Sequence, residues 1–377
     1  MDSDPDTSRG FREALDEATE ALRDTYPNED VPEDVSTASE LIDLLRESTN
    51  TELHRDITRM LGLLAEEYPE RIGPSVQSLV NIADTTDGAV RRSALLALGH
   101  VAESEPERLT PSVSTFVQLL ETDDSKVRQH VLWILSHIAE SDPEAVEPAK
   151  PWIIDSVTHS DEVVQRHSIR TIGHIADTYP EDVSSVVPDL RKLLGSQNLY
   201  RTVGRTLVQC VPVAEDQVIE GLLEQVTDGP QIRREHASWA LVPVAENHPS
   251  LLWSTWPELL SILEDDEDYQ VQNNVAATLA AMATERPNSD LIDELLALFD
   301  HPDMFVRRYV CLAIGDVAVS SADERLVRTL DDVRQDDVQL VSEQAEQILA
   351  KVLAEYPDTM KYIDSDFRSH TDDTSAG

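Results

Sequence analysis

VRRSALLALGHVAESEPER from Val90, VRQHVLWILSHIAESDPEA from Val127 and VQRHSIRTIGHIADTYPED from Val164 are near-copies of one phrase set 37 residues apart, with a weaker copy one interval earlier at Leu53. A fixed period of this size marks stacked supersecondary units, none of which buries its own apolar face without a neighbour. Counted from the opening residue, apolar side chains fall at offsets 0, 4, 7, 8, 11 and 12, as in Val90, Ala94, Ala97, Leu98, Val101 and Ala102, which is one stripe of an α-helix. That helix must end soon afterwards. Pro69, Pro106, Pro143 and Pro180 recur at the same interval and push the residue before them out of α geometry. A second series, Pro74, Pro111 and Pro148, suits the first turn of a following helix, where the missing N–H costs nothing. The chain therefore alternates two antiparallel helices: an A helix opening near the second proline, and a B helix formed by the quoted phrase. B helices open after acidic turns at Asp87, Asp124, Asp161 and Asp303, whose carboxylates are placed to cap orphan N–H groups.

An Asp-containing turn followed by Val-Arg-x-x-Ala-x-x-Ala-Leu-Gly-x-Val-Ala, best seen at residues 87–102 and again in VRRYVCLAIGDVA from Val306, resembles the HEAT repeat in its short, bilin-lyase-like variant. The resemblance runs over residues 37–357 and implies an all-α fold, an α-solenoid or alpha-alpha superhelix. Tetratricopeptide and ankyrin signatures are missing. Nine helix pairs are expected, with B helices opening near Leu53, Val90, Val127, Val164, Tyr200, Ile232, Val271, Val306 and Val341, and an N-terminal capping helix over Phe11–Thr25. Residues 11–363 would form one solenoid between a disordered N-terminus, 1–10, and a disordered acidic tail, 364–377. Pro212 and Pro243 fall inside the fifth and sixth B helices, so two tandem kinks are expected, either drifted repeats or a hinge.

The sequence carries 73 acidic residues against 30 basic ones, a net charge of −43, and only five of the basic residues are Lys. Such an excess repels itself in dilute buffer, and at about 1 M salt a Debye length of roughly 3 Å screens the repulsion. The composition resembles that of acidic, Lys-poor proteins from halophilic archaea, against the plainer reading of an ordinary acidic protein. The halophilic reading expects stability to rise toward molar KCl. Cys210 and Cys311 form no close-spaced pair, which fits a reducing cytoplasm and offers no thiolate metal motif. The opening MDSDPDTSRG has no apolar core of a signal peptide, and no apolar run reaches the roughly 18 residues of a membrane span. A soluble, cytoplasmic monomer is expected.

In the family the B helices line the concave face, and the resemblance places offsets 3, 6 and 10 in that groove. Those offsets hold His100 in the second repeat, His130, Trp133 and His137 in the third, and His167, Arg170 and His174 in the fourth. One reading is a binding stripe for a protein or peptide, since Trp and Arg are favoured anchors and His titrates near neutral pH. The other is that duplication copied a solvated His while Trp133 folds onto its neighbours. His100 with Glu103, His137 with Glu140 and His174 with Asp177 are His-x-x-carboxylate pairs, but adjacent solenoid axes about 9 Å apart do not bring them to metal distances near 2 Å. No metal or cofactor is expected.

Arg91, Arg128 and Arg307 read as a structural ladder, because in the family such an Arg reaches an Asp in a neighbouring turn. A nucleic-acid groove is the rival account, and an acidic chain adapted to molar salt argues against it. No nucleophile elbow or phosphate-cradling Gly loop is present, so no catalytic residue is assigned. Gly62, Gly99, Gly173 and Gly315 recur at offset 9, where close helix packing explains them. The favoured function is a non-catalytic scaffold or adaptor. The alternative is a HEAT-like enzyme, a prosthetic-group lyase or DNA glycosylase-like protein, and it would need a buried carboxylate among aromatic rings. Glu246 near Trp239, Trp253 and Trp256 is the nearest approach to one.

Overall fold

B helices form where the stripe predicts them: Thr51–Glu67, Gly88–Ser104, Ser125–Ser141, Glu162–Thr178, the first half of Tyr200–Asp228, Gln231–Asn247, Tyr269–Glu285, Met304–Ser321 and Gln339–Glu355. The computed structural model describes residues 5–32, 35–286 and 290–363, and among these every regular element is helical. Nine helix pairs are present among the described residues, and the fold is an all-α solenoid. The preceding helix, Pro5–Thr25, begins ahead of the predicted Phe11, so residues 5–10 are helical. Residues 1–4 and the tail expected over 364–377 lie outside the described residues.

Corner geometry repeats along the chain. Tyr68, Glu105 and Tyr179 end their helices at φ −134, −136 and −131° with ψ 58, 58 and 61°, each donating its N–H to the carbonyl four residues back and each followed by proline. Pro212 produces no kink of its own. The backbone of Tyr200–Asp228 leaves helical geometry at Ala214, φ −137° and ψ 33°, which is the same corner without the proline after it. The fifth B helix thus ends there, and the sixth A helix follows without a loop. Pro243 lies within Gln231–Asn247, which runs through it as one helix.

Apolar stripes make the core: Leu53, Val127, Val164, Val271, Val306 and Val341, the opening residues of six phrases, are buried, as are Leu98, Leu135, Ile172 and Leu279. The chain divides between Asp189 and Leu190, inside the helix Val187–Leu193, into two compact units. In the first, the B helices of repeats 1 to 4 pack side by side in chain order, and in the second those of repeats 5 to 9 do the same.

Asp124, Asp161 and Asp268 each cap their helix through Oδ1, accepting two backbone N–H groups. Their Oδ2 atoms accept from the preceding repeat: from Arg92 at 3.1 Å, from Gln129 at 2.7 Å and from Gln231 at 2.8 Å. One carboxylate thus ends a helix and ties two layers. Asp303 caps with a single bond from the Phe305 N–H. Asp87 is the exception to the expected caps, since Gly88 after it takes φ +52° and the carboxylate caps nothing.

Candidate functional site

Trp133 sits at the centre of the residues that the sequence singles out. Its ring lies over Gly99 of the preceding B helix so closely that a Cβ there would overlap the indole. The glycine is a seat. Around the ring stand His100 at 5.1 Å between centroids, His137 at 6.3 Å, His130 at 6.4 Å and His167 at 6.5 Å, the first two edge-on. Two helical turns set His130 and His137 on one face, and the 37-residue period brings the same face round in the neighbouring repeats. All of these side chains are partly buried, so Trp133 folds onto its neighbours while still bordering solvent.

Burial disfavours the charged form of four of the imidazoles. Burial pushes His130 down to about 4, with Lys126 adding to the effect, and burial pushes His167 down to about 4, with Arg166 and Arg170 adding to it. His137 and His174 are also lowered, chiefly by burial. All four shifts favour the neutral ring near neutral pH. His137 Nδ1 and His100 Nδ1 each lie 3.5 Å from the carboxylate one turn on, Glu140 and Glu103. Arg170 also reaches Glu140, at 2.8 Å. The Nε2 atoms of His137 and His174 are buried without a hydrogen-bond partner. A buried polar atom left unpaired costs about 1–3 kcal/mol, so this face holds bonding capacity that the fold does not use.

The arginine ladder exists, but with different members. Arg307 pairs with Asp336 through Nε at 2.8 Å and Nη2 at 3.0 Å, and also reaches Asp337. Arg91 does not reach an Asp carboxylate. Its Nε donates to the Ala83 carbonyl at 2.9 Å in the last turn of its own A helix, and Arg128 donates to the Thr122 carbonyl at 2.9 Å in the turn that follows its A helix. The cross-layer donors in those repeats stand one residue later, at Arg92 and Gln129. Arg166, Arg170 and Arg234 also pair with carboxylates of this chain, which leaves them poorly placed as a phosphate-binding strip. Among the described residues, no group of three His, Cys, Asp or Glu side chains is arranged to hold a metal ion.

A second aromatic group, which sequence reasoning missed, lies in repeats 5 and 6. Tyr200 and His236 stack at 3.7 Å with their planes 3° apart, and Trp239 stands edge-on to Tyr200 at 5.8 Å. Trp239 rests over Gly204, with a Cβ there 2.9 Å from the ring. The stack borders an open depression of about 780 Å³ that Gln197, Asn198, Gln231 and Glu235 also line. Three of the offset-9 glycines carry the signal that could have found such seats: Gly62 faces Leu96, Gly99 faces Trp133 and Gly315 faces Ile348 in the next repeat. The enzyme alternative fares worse. Glu246 is exposed, and Trp253 is engaged elsewhere, donating to Glu285 at 3.3 Å beneath the Arg286 guanidinium.

The family model described as the adaptin N-terminal region matches residues 59–373. Among solved structures, the chain is similar to the crystal structure of an engineered protein from the Northeast Structural Genomics Consortium, at 21% identity and a TM-score of 0.55, over 86% of this chain and 91% of that one. At that identity the likeness speaks for the fold alone. No curated protein matches the sequence. No helix among the described residues is long and apolar enough to cross a membrane.

Proposed function

We infer, for a chain that belongs to the family of the adaptin N-terminal region, a non-catalytic HEAT-type scaffold or adaptor whose B-helix face in repeats 2 to 4 receives a protein or peptide. The observation that carries the reading is the Trp133 cluster, in which a half-buried indole is ringed by four imidazoles. The rings of His130, His137 and His167 favour their neutral form, so the indole and these imidazoles make a patch of low charge on a chain of net charge −43. Arg170 borders the same face and supplies a planar donor. The acidic, Lys-poor composition supports work in molar salt, where apolar and hydrogen-bonded contacts outlast long-range attraction. The free, buried Cys210 and Cys311 support a reducing cytoplasm.

The test is capture from lysate in molar KCl, comparing the wild-type chain with Trp133→Phe, His137→Ala and Arg170→Ala combined. Bound proteins are identified by mass spectrometry, and helicity is checked by circular dichroism. The expected result is loss of one or more specific partners by about tenfold, the scale of hot-spot truncation. Partners retained undiminished on a folded variant would remove the site from this face.

A further inference from the structure

Three large apolar side chains stand exposed in consecutive repeats of the second unit: Tyr269 at 60%, Phe305 at 38% and Leu340 at 41% exposure. Each lies within two residues of the point where its B helix enters the core, at Val271, Val306 and Val341, all fully buried. The row is not a product of repeat duplication. The matching positions in repeats 1 to 4 hold Thr51 and Glu52, Gly88 and Ala89, Ser125 and Lys126, and Glu162 and Val163. The three B helices pack side by side, so the side chains stand at the N-terminal ends of neighbouring helices, Tyr269 one residue earlier in its repeat than Phe305 and Leu340.

Carboxylates interleave with this row. Glu264, Asp265 and Glu267 precede Tyr269, Asp300 precedes Phe305, Asp337, which also meets Arg307, precedes Leu340, and all are exposed. The cations nearby are engaged: Arg234 with Asp266, Arg307 with Asp336, and Arg308 over the Tyr309 ring. We propose that the rim of repeats 7 to 9, marked by Tyr269, Phe305 and Leu340, is a docking surface for an extended basic peptide with an apolar side chain at every third position.

Spacing supports that occupant. Packed helices stand about 8–10 Å apart. A polyproline-II chain advances about 3.1 Å per residue with three residues per turn, so every third side chain falls on one face at about 9.3 Å. Its apolar residues would meet successive rows, and Lys or Arg between them would meet the interleaved acids. A second copy of this chain carries the wrong sign of charge for the same rim.

A fluorescein-labelled peptide of repeated Leu-Arg-Pro triplets tests the proposal by anisotropy with the full chain, in the lowest KCl that keeps it folded. Three controls accompany it: a Leu-Glu-Pro peptide, a peptide of the first composition with Leu at every fourth position, and the Tyr269→Ser, Phe305→Ser, Leu340→Ser triple variant. The triple variant keeps every charge, and its sites are exposed, so its melting temperature should stay close to wild type. About tenfold weaker binding in each of the three controls is expected. Binding of the Leu-Arg-Pro peptide within about twofold between wild type and the triple variant, or between the two Leu spacings, overturns the proposal. A wild-type dimer that the triple variant converts to monomer in sedimentation velocity also overturns it, in favour of self-association. Repeats 2 to 4 are untouched by these substitutions, so this outcome is independent of the Trp133 reading.

Discussion

Trp133 in the first unit rests on Gly99, and Trp239 in the second rests on Gly204, so both units seat a large ring in the gap left by a glycine on the preceding B helix. Their surroundings differ. Around Trp239 the polar groups are closed on themselves: His236 is buried, stacks flat on Tyr200, and its Nδ1 lies 2.7 Å from the Leu194 carbonyl. Around Trp133 the rings meet edge-on or tilted, and His137 keeps an unpartnered Nε2. A ring whose hydrogen bond is made inside the fold explains its own presence through stability. A nitrogen left unpaired inside the fold costs stability, and the partly exposed indole beside it is the feature on which the proposal for repeats 2 to 4 rests.

The largest test of that contrast acts on the completed side. Arg307 and Asp336 are a bidentate pair with side chains only 11% and 12% exposed, so Arg307→Ala strands a nearly buried carboxylate. A loss of about 3–5 kcal/mol is expected in urea unfolding. Arg128→Ala in the first unit removes only a donor to the Thr122 carbonyl, with an expected loss of about 0.5–1.5 kcal/mol. Equal losses would mean that the ladder is uniform and that the two units are not held differently.

Next in size are the glycine seats. Gly99→Ala puts a methyl group into the Trp133 ring, at an overpacking cost of about 1–3 kcal/mol. Helix propensity returns up to about 1 kcal/mol. At Gly204 the nearest ring atom stands at 2.9 Å and a smaller shift accommodates the methyl, so Gly204→Ala should fall within about 1 kcal/mol of neutral. The expected order, Gly99 the costlier, is read from melting temperatures, with a red shift of tryptophan emission in Gly99→Ala as its ring is lifted toward solvent. The reverse order would show that the Trp133 ring moves freely and is no preformed surface.

The period of 37 residues and its prolines made most of the architecture legible, because a helix that repeats its stripe and its stop signal leaves few ways to fold. The fifth corner was harder. It forms at Ala214 without a following proline, so Pro212 two residues earlier drew attention to a kink where the chain makes an ordinary repeat boundary. Of the residues at offsets 3, 6 and 10, His100, His130, His137 and His167 gather around Trp133, since the helical period fixes which side chains share a face. The charge state of those residues was not legible, because desolvation depends on how far Trp133 lies down upon Gly99. Nor was the choice between Arg91 and Arg92 as the donor to Asp124. A rotation of one residue about the helix axis, about 100°, separates an arginine that caps its own A helix from one that crosses to the next layer.

The smallest expected effect is on pH dependence, and it belongs to the first unit. His130 and His167 have folded values near 4 against an ordinary 6.5, so between those limits the unfolded chain binds more protons than the folded one. Stability therefore rises with pH across this window. The contribution is fully present above about 6.5 and is lost as pH falls through about 4. After discounting for solvent at these partly exposed rings, each should be worth on the order of 1 kcal/mol. Carboxylates complicate the raw curve, since protonating them relieves the repulsion of a chain at −43. The comparison that isolates the rings is wild type against His130→Asn with His167→Asn, taken point by point in urea midpoints from pH 7 to pH 4. The double variant should lose less stability than wild type over that interval while starting lower, because it has given up the packing on Trp133. Parallel curves would mean that water already reaches both imidazoles and that the face around Trp133 is not the low-charge island that sets it apart from the Trp239 cluster.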